Sequence, residues 1–149
     1  SFESVDAVLD FAIEREQEAS DFYTDLAAKV KRPDMKTLFI QFAGEEKGHK
    51  AKLQGIKKGR QLLPAAKQVL DLQMSDYLVA ENPTEEMTYQ NALILAMKKE
   101  KVSFRLYTDL AASAPGEDLK NTFLTLAQEE AKHKLRFEVE YDNEVMAEN

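Results

Sequence analysis

The feature that most constrains this chain is that it is written twice. Shifted so that Ser4 falls on Thr88, the stretch Ser4–Leu53 lies on Thr88–Phe137 without a gap, and roughly a third of the paired residues are identical. Tyr23-Thr24-Asp25-Leu26-Ala27-Ala28 returns as Tyr107-Thr108-Asp109-Leu110-Ala111-Ala112. Glu16 falls on Glu100, Glu45-Glu46 on Glu129-Glu130, and His49-Lys50 on His133-Lys134. A gapless repeat of this length means two copies of one supersecondary unit.

The unit is a helical hairpin. Val5, Leu9, Ala12, Ala19, Tyr23, Leu26 and Val30 recur at steps of three and four or their multiples, the inward stripe of an amphipathic helix. Ser4 is placed to cap it, and Thr88 takes that role in the second copy. Pro33-Asp34 signals the start of a second helix, whose stripe is Met35, Leu38, Phe42, Leu53 and Ile56. Each helix would be about 25 residues, or roughly 38 Å, long. The connection Gln54–Met87 is too long for a turn between neighbouring helices, and it can run back to start the third helix at the far end. The expected fold is therefore all-α: a four-helix bundle of two hairpins joined by one long crossover, a single domain over 1–149. Short helical pieces are expected near Pro64–Leu72 or Ser75–Val79, and Asp142–Asn149 reads as an acidic, frayed end. Leu95, Val102 and Leu106 make a second apolar stripe on the third helix, to be covered by the crossover or, alternatively, by a homodimer partner.

Composition removes several functions. A net charge of −7 disfavours nucleic acid and anionic membrane as partners. The longest clear apolar run, Ala92–Met97, is far too short to span a bilayer. Ser1–Asp10 lacks the basic start and apolar centre of a secretory signal, so the expected location is cytoplasmic. With no cysteine there are no disulfides, thiolate zinc sites, iron–sulfur clusters or cysteine nucleophiles. Redox chemistry would have to use a bound cofactor, or a metal held by oxygen and nitrogen.

Six polar residues interrupt the apolar stripes. Glu16 lies between Ala12 and Ala19, and Glu100 between Ala96 and Ser103. Glu46 and His49 break the stripe from Phe42 to Leu53, and Glu130 and His133 break the one from Leu126 to Phe137. Four carboxylates without counter-charge would be prohibitive in a core, since each buried ion costs several kcal/mol, whereas two divalent cations would cancel them. One Glu from each of two helices plus Glu-x-x-His from the other two is the ligand set of dinuclear carboxylate bundles. The i, i+3 spacing sends both side chains off one helix face. A lone Glu-x-x-His in a chain this rich in Glu is a weak signal; its weight comes from location. Without thiolate, the donor set suits iron better than zinc, although zinc or manganese would also bind.

At these residues the chain resembles the rubrerythrin-type branch of the ferritin-like superfamily. The resemblance rests on E-x-E-A-S-D-F-Y around Glu16–Tyr23 and on E-E-x-x-H around His49 and again around His133. It implies a di-iron site in which Glu46 and Glu130 bridge the metals, Glu16 and Glu100 are terminal ligands, and His49 and His133 each bind one metal. It also implies hydrogen bonds from the Tyr23 and Tyr107 hydroxyls to ligand carboxylates; two core tyrosines are the alternative. Glu45 and Glu129 are either acceptors for the imidazoles or surface residues. Full-length rubrerythrins usually add a cysteine-ligated rubredoxin domain, which a chain without cysteine lacks. Many carry a further carboxylate on the third helix where this chain has Ser103. Lys47 stands where bacterioferritins place a haem-binding Met, which argues against haem. Gly48, inside a helix and paired with Lys132 in the repeat, either admits substrate or permits tight packing.

The resulting expectation is an oxidoreductase that reduces hydrogen peroxide or dioxygen with electrons from an external donor protein. The alternatives are a ferroxidase that handles iron, and a non-catalytic bundle with a structural metal.

Overall fold

The computed structural model describes residues 1–79 and 87–148. Every described regular element is helical, and the chain divides into two units, residues 1–72 and 73–149.

In the first unit, α1 (Val5–Lys29) begins where the Ser4 hydroxyl accepts the Ala7 N–H at 3.0 Å, satisfying one of the free donors of the first turn. Its end is set by the chain that follows. Pro33 restricts the residue before it to extended backbone, so Arg32 cannot be helical, and Pro33 then opens α2 (Pro33–Lys58). Between the helices, aromatic rings interlock. Tyr23 stacks on Phe39 and meets Phe42 edge-on, with both pairs of ring centres 6.4 Å apart. A 3₁₀ turn (Leu63–Ala65) and α3 (Ala66–Leu70) follow, and α3 packs on α1 with Val69 fully buried.

The second unit repeats the plan. Thr88 caps α4 (Tyr89–Ser113) by accepting the Asn91 N–H at 3.1 Å. Ala114 is extended before Pro115, and α5 (Glu117–Glu148) starts with Glu117 and Asp118, whose charges suit the positive end of a helix. Tyr107 stacks on Phe123 at 6.5 Å, the repeat image of Tyr23 on Phe39.

Three details refine the sequence reading. Both second helices outrun the aligned repeat, α2 to Lys58 and α5 to Glu148, so the acidic end expected to fray is helical up to Glu148. Two short helical pieces, Ala66–Leu70 and the 3₁₀ turn Met74–Tyr77, occur where the connection was expected to hold them. Of the second stripe on α4, Leu95 and Leu106 are buried. The 3₁₀ turn Met74–Tyr77 lies against α4, where the Tyr77 hydroxyl donates to Asp109 at 2.6 Å and Arg105 pairs with Asp76 at 3.3 Å. The remainder of the connection, 80–86, lies outside the described residues. No helix of the described residues is long and apolar enough to cross a membrane.

Candidate metal centre

Each hairpin buries the same three polar residues. In the first unit Glu16 comes from the inward stripe of α1, and Glu46 and His49 come from one face of α2. In the second unit Glu100 comes from α4, and Glu130 and His133 from α5. All six are at most 4% exposed. Amphipathic periodicity is the cause: a residue placed in the apolar stripe is carried inward with its neighbours whatever its chemistry.

Within each triad the donor atoms converge. In both units the three residues offer ligand atoms within 4.8 Å of one another. His49 turns Nδ1 towards the carboxylates, 3.4 Å from Oε1 of Glu46 and 3.5 Å from Oε2 of Glu16. His133 does likewise, with Nδ1 3.6 Å from Oε1 of Glu100 and 3.9 Å from Oε1 of Glu130. These separations exceed ordinary hydrogen-bond lengths. They resemble the spacing of donors around a cation. With bonds of about 2.1 Å, neighbouring ligand atoms sit about 3.0 Å apart in an octahedron and about 3.4 Å apart in a tetrahedron. Among the described residues no lysine or arginine is fully buried. Two carboxylates and an imidazole, dry and convergent, fit a divalent metal.

The neighbouring candidates divide. Tyr23 and Tyr107 are fully buried, and their rings build the aromatic stacks already described. Glu45 and Glu129 are half-buried and outside the triads. A methyl group added at Gly48 would meet nothing within 4 Å, so close packing within the chain does not require this glycine. Lys47 is exposed.

Two buried polar features escaped the sequence reading. The buried Ser20 hydroxyl, one turn beyond Glu16, donates to the backbone carbonyl of Ala43 at 2.9 Å and ties α1 to α2 beside the site. Its repeat image, Phe104, is 41% exposed, so repeat symmetry concealed rather than revealed it. Glu140 is a further fully buried carboxylate on α5, and it accepts from the Tyr89 hydroxyl at 2.7 Å. The only sequence signal was divergence: Tyr89 and Glu140 replace Val5 and Ile56 of the first copy.

Comparison with known proteins bears on the family and the fold. Residues 7–141 match the family model described as Rubrerythrin. A crystal structure from Thermotoga maritima, described as a ferritin-like diiron-carboxylate protein, superposes with a TM-score of 0.72, covering 92% of this chain and 93% of that one. At 19% identity the likeness is one of fold: this chain has the ferritin-like helical-bundle architecture. No curated protein is significantly similar in sequence.

Proposed function

The chain belongs to the rubrerythrin family, and we propose that it is a di-iron oxidoreductase, reducing hydrogen peroxide, and dioxygen more slowly, with electrons from a separate donor protein. The observation that carries this reading is the recurrence of one dry Glu, Glu-x-x-His triad in both hairpins. In this reading residues 1–149 form one domain with Gln54–Met87 as its crossover, and the two triads together hold two iron ions. Glu46 and Glu130 would bridge, Glu16 and Glu100 would be terminal ligands, and His49 and His133 would each bind one ion. The description of the Thermotoga protein as diiron-carboxylate supports the same choice of metal.

Two ferrous ions held by these residues would supply the two electrons that cleavage of the peroxide O–O bond requires. The protein's own residues do the rest. Four carboxylates balance the charge of two divalent ions and favour their retention. Helix positions separated by one turn hold each Glu-x-x-His pair on one face, so the donors need little rearrangement. The aromatic stacks of Tyr23 with Phe39 and Tyr107 with Phe123 add bulk that keeps water out of each hairpin, and in this reading the two phenol hydroxyls would orient ligand carboxylates. With no cysteine in 149 residues, this stretch carries no rubredoxin-type iron, and reducing equivalents come from outside it.

Anaerobic ferrous titration followed by stopped-flow oxidation tests the proposal. The expected result is two ferrous ions bound per chain, faster oxidation by peroxide than by dioxygen, and turnover only when a donor is added. Continued oxidation of many ferrous ions per chain, with ferric mineral kept in a many-subunit shell, would establish iron storage instead. A loaded protein inert to both oxidants would leave a structural metal.

A further inference from the structure

The two copies of the hairpin part company on the outward side of their first helices. Glu14, Gln17, Glu18 and Asp21 of α1 stand against Lys98, Lys101, Val102 and Arg105 of α4, so a face that is acidic in one copy is basic and partly apolar in the other. Ser20, buried in the first copy, is answered by Phe104, which is 41% exposed. The three cations of α4 follow one another at steps of three and four, so they share one side of the helix and repel one another. Internal packing does not require the change, because the inward side of α4 is filled by Leu93, Ala96, Tyr107 and Leu110.

The altered face lines a cavity. Residues 76–79 and α4 leave about 540 Å³ between them, within the roughly 300–1,000 Å³ typical of sites for small organic molecules. The wall is mostly apolar: Leu78 and Phe104 are 50% and 41% exposed, and Val79 and Val102 are half-buried. Lys98, Lys101 and Arg105 stand around it, all exposed. Two carboxylates also line the cavity, and both are engaged. Asp76 pairs with Arg105 at 3.3 Å, and Asp109 accepts from the Tyr77 hydroxyl at 2.6 Å. Three cations against two carboxylates leave the cavity net positive by one, in a chain whose net charge is −7.

An apolar wall edged by cations suits an anion with an apolar body. Burial of the body supplies affinity, and the ammonium and guanidinium groups hold the head. A bare inorganic anion would leave the wall wet, and a neutral hydrocarbon would leave the cations unanswered. We infer that this cavity binds an amphipathic organic anion, its aliphatic or aromatic body against Leu78, Val102 and Phe104 and its acidic head held by Lys98, Lys101 and Arg105. None of the six candidate metal ligands lines the cavity, so the site stands apart from the metal reading.

Fluorescence titration of the full chain with anilinonaphthalene sulfonate, an aromatic anion that brightens in apolar surroundings, tests the site. One equivalent should bind. Dodecanoate should displace it, whereas dodecanol, its neutral counterpart, and inorganic phosphate should each do so at least about tenfold less well. Restoring the residues of the first copy locates the binding. Lys101→Gln and Phe104→Ser should each weaken it about tenfold, through loss of a charged hydrogen bond and of an aromatic contact. Helical circular dichroism should be unchanged, because both residues are exposed. Dodecanol matching dodecanoate would mean an apolar patch without anion recognition, and phosphate matching it would mean a bare charge site. Unchanged affinity in either variant would place the binding elsewhere. Any of these results, or no binding at all, would overturn the proposal.

Discussion

Lys50 on α2 donates its ammonium to the amide oxygen of Gln17 on α1 across 2.7 Å, and each of the two directly follows a buried site residue, His49 and Glu16. The bond thus fixes the register of the two helices at the level of the triad. Gln17 in turn donates to Asp21 at 2.9 Å, one turn further along α1. The second copy has no such clamp: Lys101 stands in place of Gln17, and Lys134 pairs with Glu138 on its own helix. A double-mutant cycle of Gln17→Ala and Lys50→Ala should give a coupling of about 1 kcal/mol in unfolding free energy. The same cycle at Lys101 and Lys134 should give none, and equal couplings in the two copies would refute the clamp.

Glu46→Ala should reduce metal bound below two ions per chain or weaken the affinity of both, because this carboxylate is proposed to bridge. Glu14→Ala, an exposed change on α1, serves as the control. Metal analysis after equilibrium dialysis decides the matter. Two ions held with unchanged affinity would remove Glu46 from the ligand set.

Metal removal should lower the melting temperature. A ligand bound only by the folded state, at a hundredfold excess over its Kd, adds about 2.7 kcal/mol. For a chain of this size that is roughly 5–10 °C. The difference should shrink in mild acid, where protonation of carboxylate and imidazole competes with the metal. Calorimetry of chelated and reloaded protein at two pH values measures it.

Tyr77 contributes a pH dependence at the alkaline end. Burial, reinforced by its hydrogen bond to Asp109, pushes the phenol well above its ordinary value. A group whose pKa is raised on folding stabilises fully below its unfolded value, near 10 for tyrosine, and loses that contribution as pH rises through the folded one. Unfolding free energy of the native protein should therefore fall above about pH 10 more steeply than that of Tyr77→Phe. At neutral pH the variant should be less stable by about 1–2 kcal/mol, having lost a donor to a carboxylate. Parallel alkaline curves would exclude this role.

Gly48→Ala should stabilise the protein by about 1 kcal/mol. The added methyl meets nothing in the chain, and the helix loses a flexible residue. Denaturant titration reads the effect. A loss of stability would mean that the glycine is needed for an approach not visible within a single chain.

The sequence by itself determined the hairpins, their caps and the inward placement of Glu16, Glu46, His49, Glu100, Glu130 and His133. All of these follow from local rules: period 3.6, a capping hydroxyl at Ser4 or Thr88, and Pro33 or Pro115 forbidding helix just before it. The duplication then let each reading be checked against its copy. Tertiary structure decided what depends on which atoms meet between helices. The direction of the two Nδ1 atoms, the Ser20 bond to the Ala43 carbonyl, the clamp of Lys50 on Gln17 and the burial of Glu140 against Tyr89 all depend on interhelical register. Register is set by the fit of whole side chains across a seam, as in Tyr23 on Phe39, and one helix read alone does not contain it. For the same reason the cavity beside Phe104 became visible only once residues 76–79 were placed against α4.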